Sequence, residues 1–580
     1  MQEFHGISAS PGIAIGSAFV YLDDSPRVPK YEVELEEVTS ELERFRTAVH
    51  RARGELEALR DHAAEAEKNK NAGFLDSHLM MLEDPEFHSD VERRVSNERM
   101  NVEWVLYKAI QELIDRLGST EDDYLRERTA DIRDVSKRVL NHLMHRERIS
   151  LADLETDVIL VAHDLLPSDA VAMNKRAVLG IVTDAGGKTS HTAILARSFE
   201  IPAVLGLSDI SRSVQHGQTV IVDGNRGTVI VDPDEPTRAK YLRVQQEWRR
   251  HEIRLMDLNE LPAETTDGKL IKLMANIEVP EEVDAVLTHG TDGIGLYRSE
   301  FLFLKAHGLP SEEEQYEAYC HVLEAIADKP VTIRTLDVGG DKVVPQLGSF
   351  PERNPILGWR AVRFCLARPD IFRVQLRALL RASIRGRLRI MFPMISGIEE
   401  LNRALAVLDE VKKQLRSEGV PFDEKVPVGI MIEVPSAAMT ADILARRVGF
   451  FSIGTNDLIQ YTLAVDRGNE RIAYLYEPFH PGVLRLIRRV IENAHASGIS
   501  VGMCGEMAGD PLASVVLLGL GLDEYSMSAS VVPEVKRIIR STALSAAREI
   551  VGTVMDMRSF EEVDRYVQNL MERRFDVRVY

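Results

Sequence analysis

Between residues 263 and 530 of this 580-residue chain, short apolar runs alternate eight times with helical stretches. The runs are KLMANIE, DGIGLYRSE, VTIRTLDVGG, LRIMFPM, VGIMIEVP, FFSIGTND, SVGMCGE and LDEYSMSA, and segments such as 399–417 and 484–497 between them carry helical periodicity. Eight β/α units in roughly 280 residues is the size of a (β/α)₈, TIM-type barrel. In nearly every unit a polar or reactive residue stands at the strand's end: Arg298, Arg334, Asp337, Glu433, Asn456, Asp457 and Cys504. A barrel gathers those ends on one face, where barrel chemistry occurs. An open doubly wound sheet would bring them together less efficiently, so the barrel is preferred.

The preceding half reads differently. Leu35, Val38, Leu42, Phe45, Val49, Ala52, Leu56 and Leu59 follow 3,4 spacing, the seam of long helices packed side by side. Stretches 72–83, 91–117 and 130–145 continue the pattern, and no strand signal falls between 32 and 148. This predicts an all-α module of three or four helices. At 157 the character switches to β-branched runs, DVILVAH, AVLGIVTD, QTVIVDG and NRGTVIVDP, separated by Gly and Asp turns. The strand expected at 12–22 has no partner nearby and is assigned to this α/β unit, which makes the helical module an insertion. The expected division is therefore 1–22 with 149–234 as an α/β domain, 23–148 as the inserted helical domain, 235–260 as a helical linker, and 261–580 as the barrel.

Composition bounds the partners. Lys+Arg minus Asp+Glu is 71 − 91 = −20, which argues against nonspecific binding of nucleic acid or anionic membranes. Cys320, Cys365 and Cys504 form no disulfide framework or metal cluster and suit a reducing compartment. No run approaches the length of a membrane span, and MQEFHGISASPGIAIG has no basic leader, so a cytoplasmic location without stable membrane insertion is expected.

Two groups of residues carry chemistry. In AGGKTSHTAILAR a strand runs into Gly186-Gly187 and a helix begins near His191. That places His191 in a first helical turn among free N–H donors and the hydroxyls of Thr189, Ser190 and Thr192, a setting that favours an anion or a phosphoryl group on the imidazole. With an ordinary pKa of about 6.5 the ring is mostly neutral and nucleophilic near pH 7. The bland alternative is a capped helix after an ordinary glycine turn. At the barrel rim, Arg298, Arg334 and Arg467 either pair with rim carboxylates or fork a phosphate or carboxylate ligand; three on one face favour the ligand. Glu433 and Asp457 either answer those arginines or hold Mg²⁺, which takes a carboxylate pair plus substrate oxygens and water. Asn456 adds a neutral donor. Cys504, between glycines at the rim, is placed to exchange a proton with a carbon acid, whereas Cys320 and Cys365 read as inert core residues.

GGKTSHTAILAR, GIGLYRSEFLF, RTLDVGGDK, IMIEVPSAA, FFSIGTNDLIQYTLAVDRGN and GMCGEMAGD resemble, in order and spacing, enzyme I of the bacterial phosphoenolpyruvate-dependent sugar phosphotransferase system. The likeness runs from ASPGIAIG through the barrel. It implies a swivelling phosphohistidine α/β domain, an inserted helical domain that docks the phosphocarrier protein HPr, and a barrel that binds phosphoenolpyruvate and forms a homodimer. By motif, His191 would carry the phosphoryl group and Arg298, Arg334, Asn456, Asp457 and Arg467 would bind phosphoenolpyruvate. Glu433 and Asp457 would hold Mg²⁺, and Cys504 would protonate the enolpyruvate carbon. In LLPSDA this chain has Ala170 where many members have threonine, so a hydrogen bond to the imidazole is lost or supplied otherwise. A regulatory phosphorelay paralogue would share these motifs; some carry an N-terminal sensor domain, and this chain opens directly at the phosphohistidine domain. Pyruvate phosphate dikinase and phosphoenolpyruvate synthase resemble the histidine loop and barrel, but they need a nucleotide-binding domain for which this chain has no room, and no GxxxxGK[ST] occurs.

Overall fold

The computed structural model describes residues 1–580 except 22–27, 67–72, 83, 119–122, 145–150, 152–153, 155, 166–172, 175–176, 188–189, 200, 306–308, 327, 340–351, 353, 468, 470 and 576–580. The chain divides into two compact units, Met1–His251 and Glu252–Val579.

The first unit holds a sheet of eight strands: β1 (Gln2–His5), β2 (Ile7–Ser10), β3 (Ile13–Tyr21), β4 (Val158–Ala162), β5 (Val178–Thr183), β6 (Ala203–Leu205), β7 (Thr219–Asp223) and β8 (Thr228–Val231). Their order is β1-β8-β7-β3-β4-β5-β6-β2. β3 runs parallel to β4 and antiparallel to β7, so the N-terminal strand is built into the sheet formed after residue 157. β1 and β2 lie on opposite edges yet are joined by Gly6 alone, so the sheet rolls until its two edges come side by side. A side chain on Gly6 would meet the Leu205 carbonyl at 2.5 Å, which is why that crossing needs glycine. β1, β2 and β6 are too short and mixed to stand out from alternation alone.

Between β3 and β4 the described residues form five α-helices: α1 (Val38–Ala66), α2 (Gly73–Leu82), α3 (Pro85–Glu98), α4 (Val102–Gly118) and α5 (Asp123–Leu143). The count exceeds the three or four read from periodicity because the stretch 91–117 breaks. Arg99 turns to φ +50°, and Met100 bridges to Glu32, so α3 and α4 are separate. The seam residues Phe45, Ala52 and Leu56 are fully buried against Val91, Val95, Leu106 and Val139. Leu35, counted in that seam, precedes the helix and is exposed. After the sheet's short helices α6 (His191–Ser198) and α7 (Ile210–Ser213), helix α8 (Glu235–Met256) leads out of the unit, as the charged connector predicts. Its Tyr241 packs on Ile13, Ile221 and Ile230.

The second unit is the expected barrel. All eight apolar runs become parallel strands: β10 (Leu270–Ile277), β11 (Ile294–Arg298), β12 (Pro330–Arg334), β13 (Arg387–Phe392), β14 (Val428–Ile432), β15 (Phe450–Ile453), β16 (Ser500–Met503) and β17 (Glu524–Met527). β10 pairs with both β11 and β17, which closes the ring. A two-residue strand, β9 (Ala263–Glu264), adds antiparallel to the start of β10. Among the described residues no helix is long and apolar enough to cross a membrane.

One polar layer interrupts the apolar interior. Arg389 on β13 reaches across to Glu524 on β17, the strand opposite in the ring, at 2.6 and 3.2 Å. Thr332 accepts a third guanidinium hydrogen bond at 2.8 Å, and the Phe450 ring lies 4.8 Å from the guanidinium carbon. Removing one partner strands the other charge in a poorly hydrated interior, which costs about 3–5 kcal/mol. Glu524→Ala is therefore expected to destabilise the barrel by about that amount in denaturant titrations, with Glu524→Ala/Arg389→Met recovering part of the loss. A loss below about 1 kcal/mol would place the pair among exposed ion pairs.

Candidate functional site

The C-terminal ends of the barrel strands enclose a cavity of about 250 Å³. Arg298, Arg334, Glu433, Asn456, Asp457, Arg467 and Cys504 all line it, so the structure brings together every barrel residue given a chemical role from the sequence, while Asp337, the other strand-end residue named there, is fully buried beside Arg334 and outside the lining. Glu278, Glu300 and Arg360, which sequence reasoning passed over, line it too.

The inner wall is a lattice of buried charges. Arg334, ending β12, donates to Glu300 at 2.6 Å and lies 3.1 Å from Asp337. Arg360 forks onto both Asp337 oxygens at 3.0 and 3.1 Å and reaches Asp457 at 3.2 Å. Burial works against both guanidinium charges. The carboxylates overrule it, so Arg334 beside Glu300 and Asp337, and Arg360 beside Asp337 and Asp457, titrate above the ordinary arginine range. Tyr461 stacks the next shell: its hydroxyl accepts from Arg360 at 3.4 Å and donates to the Ile356 carbonyl at 2.6 Å.

The outer wall is looser. Arg298 pairs with Glu278, and Arg467 approaches Glu506 at 3.5 Å; all four side chains are substantially exposed. Asn456 donates to Glu506 at 2.9 Å and accepts from the Glu506 backbone N–H at 2.9 Å. Each of the three predicted arginines thus has a rim carboxylate beside it while also facing the cavity.

Glu433, ending β14, is only 2 % exposed and accepts a hydrogen bond from the Met394 N–H at 2.5 Å. Burial, then the charges of Asp457 and Asp337, push its pKa up. A buried carboxylate whose charge is disfavoured by a neighbouring carboxylate suits a cation beside the two. Among the described residues no three His, Cys, Asp or Glu side chains cluster as a self-sufficient metal site. A cation held here would draw its remaining ligands from substrate and water, which fits a hard divalent ion.

Cys504 follows β16 directly, and its N–H donates to the Ile453 carbonyl at 3.0 Å. The next residue must be glycine, because a Cβ at Gly505 would sit 1.9 Å from the Thr455 hydroxyl. Burial pushes the Cys504 thiol up to about 11, against a hydrogen bond from Ser452 and the charge of Arg334. The sequence placed a proton-exchanging thiol here; burial and the raised pKa leave that thiol protonated at neutral pH. Cys320 and Cys365 are buried in the core, as expected.

In the first unit, β5 ends at Thr183, Gly186 adopts φ +110°, and α6 begins at His191. Of the three hydroxyls expected around the imidazole, Ser190 accepts the Ala193 N–H at 3.3 Å and so caps the helix, and Thr192 is buried. Thr189 and Ala170 lie outside the described residues.

Fold and rim together give a TIM-type barrel whose cavity presents arginines, a buried carboxylate pair and a protonated thiol, a setting suited to a small anion. Three consecutive stretches match family models of phosphoenolpyruvate-utilising enzymes: the N-terminal domain over 5–128, the mobile domain over 154–227 and the PEP-binding domain over 253–544. The chain is 45% identical over 568 residues to a phosphoenolpyruvate-protein phosphotransferase of Priestia megaterium, covering 98% of this chain and 99% of that one. It is 46% identical over 570 residues to that of Bacillus sp. (strain S), covering 98% of each, and 44% identical over 568 residues to that of Bacillus subtilis (strain 168), covering 98% and 99%. The chain belongs to the phosphoenolpyruvate-protein phosphotransferase family.

Since only a thiolate alkylates, the raised Cys504 pKa has a direct readout. Peptide mapping after brief iodoacetamide treatment is expected to find Cys504 unmodified at pH 7.5, with labelling rising as pH climbs past 9 toward 11. Complete labelling within minutes at pH 7.5 would show a thiolate instead.

Proposed function

We propose that the chain moves the phosphoryl group of phosphoenolpyruvate to His191, releases pyruvate, and passes the group to a histidine of HPr, opening a sugar phosphotransferase relay. The observation that supports this most is the convergence on one cavity of anion-binding arginines, a buried carboxylate pair and a protonated thiol. An enol phosphate needs each of them. Arg298, Arg334 and Arg467 neutralise phosphate and carboxylate oxygens, and Asn456 and Asp457 orient them. Glu433 and Asp457 would hold Mg²⁺, which adds positive charge to the phosphate when bound.

In the reaction the bond between phosphorus and the enol oxygen breaks as a bond to a His191 ring nitrogen forms. The electron pair left on the enol oxygen makes an enolate. Cys504 gives its proton to the terminal carbon, yielding pyruvate, and takes one back from solvent before the next cycle. The thiol's retained proton is the requirement for this step.

The proposed division of labour assigns 1–22 with 149–234 to the phosphohistidine domain, 23–148 to HPr docking, and 261–580 to phosphoenolpyruvate binding and homodimer formation. Residues 235–260 would act as the pivot for a swivel of the phosphohistidine domain, and the site of action would be the cytoplasm. A regulatory relay paralogue is the second reading. Rapid transfer to an HPr of sugar transport, rather than to a separate regulatory carrier, separates the two.

Incubation with phosphoenolpyruvate labelled in its phosphate is expected to give an acid-labile, alkali-stable phosphoenzyme. His191→Ala should form none, and label retained by the folded variant would remove His191 from its role. Cys504→Ala should keep phosphoenolpyruvate affinity while slowing pyruvate formation about 10²–10⁴-fold, the usual contribution of a positioned proton donor. Unchanged turnover would overturn the donor assignment.

A further inference from the structure

The carboxylates paired with Arg298, Arg334 and Arg467 fall into two kinds. Glu300 and Asp337 hold Arg334 from positions that are almost wholly buried, and neither can move without breaking the lattice. Glu278 and Glu506 stand at the mouth with side chains 57 % and 79 % exposed, each beside an arginine that is itself solvent-accessible. Glu506 has a second partner: its carboxylate accepts from Asn456, and its backbone N–H donates to the same side chain. It can therefore release Arg467, which it approaches at only 3.5 Å, while staying anchored. Glu278 similarly sits on backbone fixed by Glu282, whose carboxylate accepts the Glu278 and Val279 N–H groups at 2.6 and 3.2 Å.

We propose that Glu278 and Glu506 are internal competitors for Arg298 and Arg467, exchangeable carboxylates that set how strongly, and for which anions, the cavity binds. This deepens the reading of the cavity as a phosphoenolpyruvate site. A ligand bearing phosphate and carboxylate together displaces both glutamates and gains both arginines. A singly functional anion, such as inorganic phosphate or a simple carboxylate, displaces one and leaves the other in place. The glutamates thereby weaken binding of every anion that takes either arginine, by one exchange for a singly functional anion and by two for a ligand that takes both. They act through the arginines and are positioning residues, not catalytic ones. An exposed ion pair is weak, so the exchange stays reversible on the time scale of turnover.

The test is calorimetric titration of the whole chain with inorganic phosphate and, separately, with phosphoenolpyruvate and Mg²⁺, for wild type, Glu278→Gln, Glu506→Gln and the double variant at low ionic strength. Glutamine at 506 can still accept from Asn456, so that wall is preserved. Each single variant is expected to bind inorganic phosphate about two- to fivefold more tightly, and the gain should shrink as salt is raised. In turnover, KM for phosphoenolpyruvate should fall while kcat is held or lowered by slower product release. Glu506→Asp, which keeps the charge, should stay near wild type. Phosphate affinity that is unchanged or weaker in both variants would overturn the proposal, as would a raised KM, which would make the glutamates direct supports of the substrate. The phosphate titration decides the matter even for a protein that formed no phosphoenzyme, so its outcome is separable from that of the functional reading.

Discussion

The contact on which the site depends is the buried junction of Arg334 and Arg360 around Asp337. Two guanidinium groups and a carboxylate with no exposure are costly to remove from water singly, and they become tolerable only as a set. The set fixes the loop after β12, because the Asp337 backbone N–H also donates to the carboxylate of Glu300, two residues past the end of the neighbouring strand β11. It carries excess positive charge toward the cavity, where Asp457 and Glu433 meet it. Substrate anions and a cation then enter a field that is already arranged, which is how charge stabilises a transition state without reorganisation.

Barrel closure supplies the scaffold for that field. The ends of β11, β12, β14 and β16 each deliver a cavity-lining side chain singled out above and the end of β15 delivers two, Asn456 and Asp457, so moderate errors in any loop leave the others in place. The lower layer is locked separately by Arg389 and Glu524 across the ring. The soft groups stand at the mouth: Arg298 and Arg467 with their exposed glutamates. Rigidity inside and exchangeability outside is the arrangement expected of a site that must hold a transferring group still yet admit and release charged ligands.

The barrel was legible because its signal is local and repeated. Each run is apolar, β-branched and bounded by turns, and each ends in a residue too polar for the core, so Arg334, Glu433 and Cys504 announced themselves. Arg360 did not. It comes from an irregular loop rather than a strand end, and only its contacts with Asp337 and Asp457 reveal its place. Glu300 and Glu506 were hidden in plain motifs, SEF and CGE, because a glutamate just past a strand end looks like a solvated surface residue. The helical module was legible in kind but not in count, since one residue at positive φ, Arg99, divides what periodicity joins. A proton-exchanging thiol at Cys504 was legible from its rim position, but the upward shift of its pKa was not, because that depends on burial. Around His191, the pattern located the helix start, while the hydroxyl of Ser190 proved to be committed to capping.

The central claim is that this charged rim holds an enol phosphate with its carbon end against a protonated thiol. A crystal structure of the chain with Mg²⁺ and a non-transferable phosphonate analogue of phosphoenolpyruvate tests it most directly. The account predicts the phosphonate among Arg298, Arg334 and Arg467, the cation on Glu433 and Asp457, and the analogue's carbon terminus in contact with Cys504 Sγ. A ligand seated elsewhere, or one turned so that its carbon end faces away from that sulfur, would contradict it.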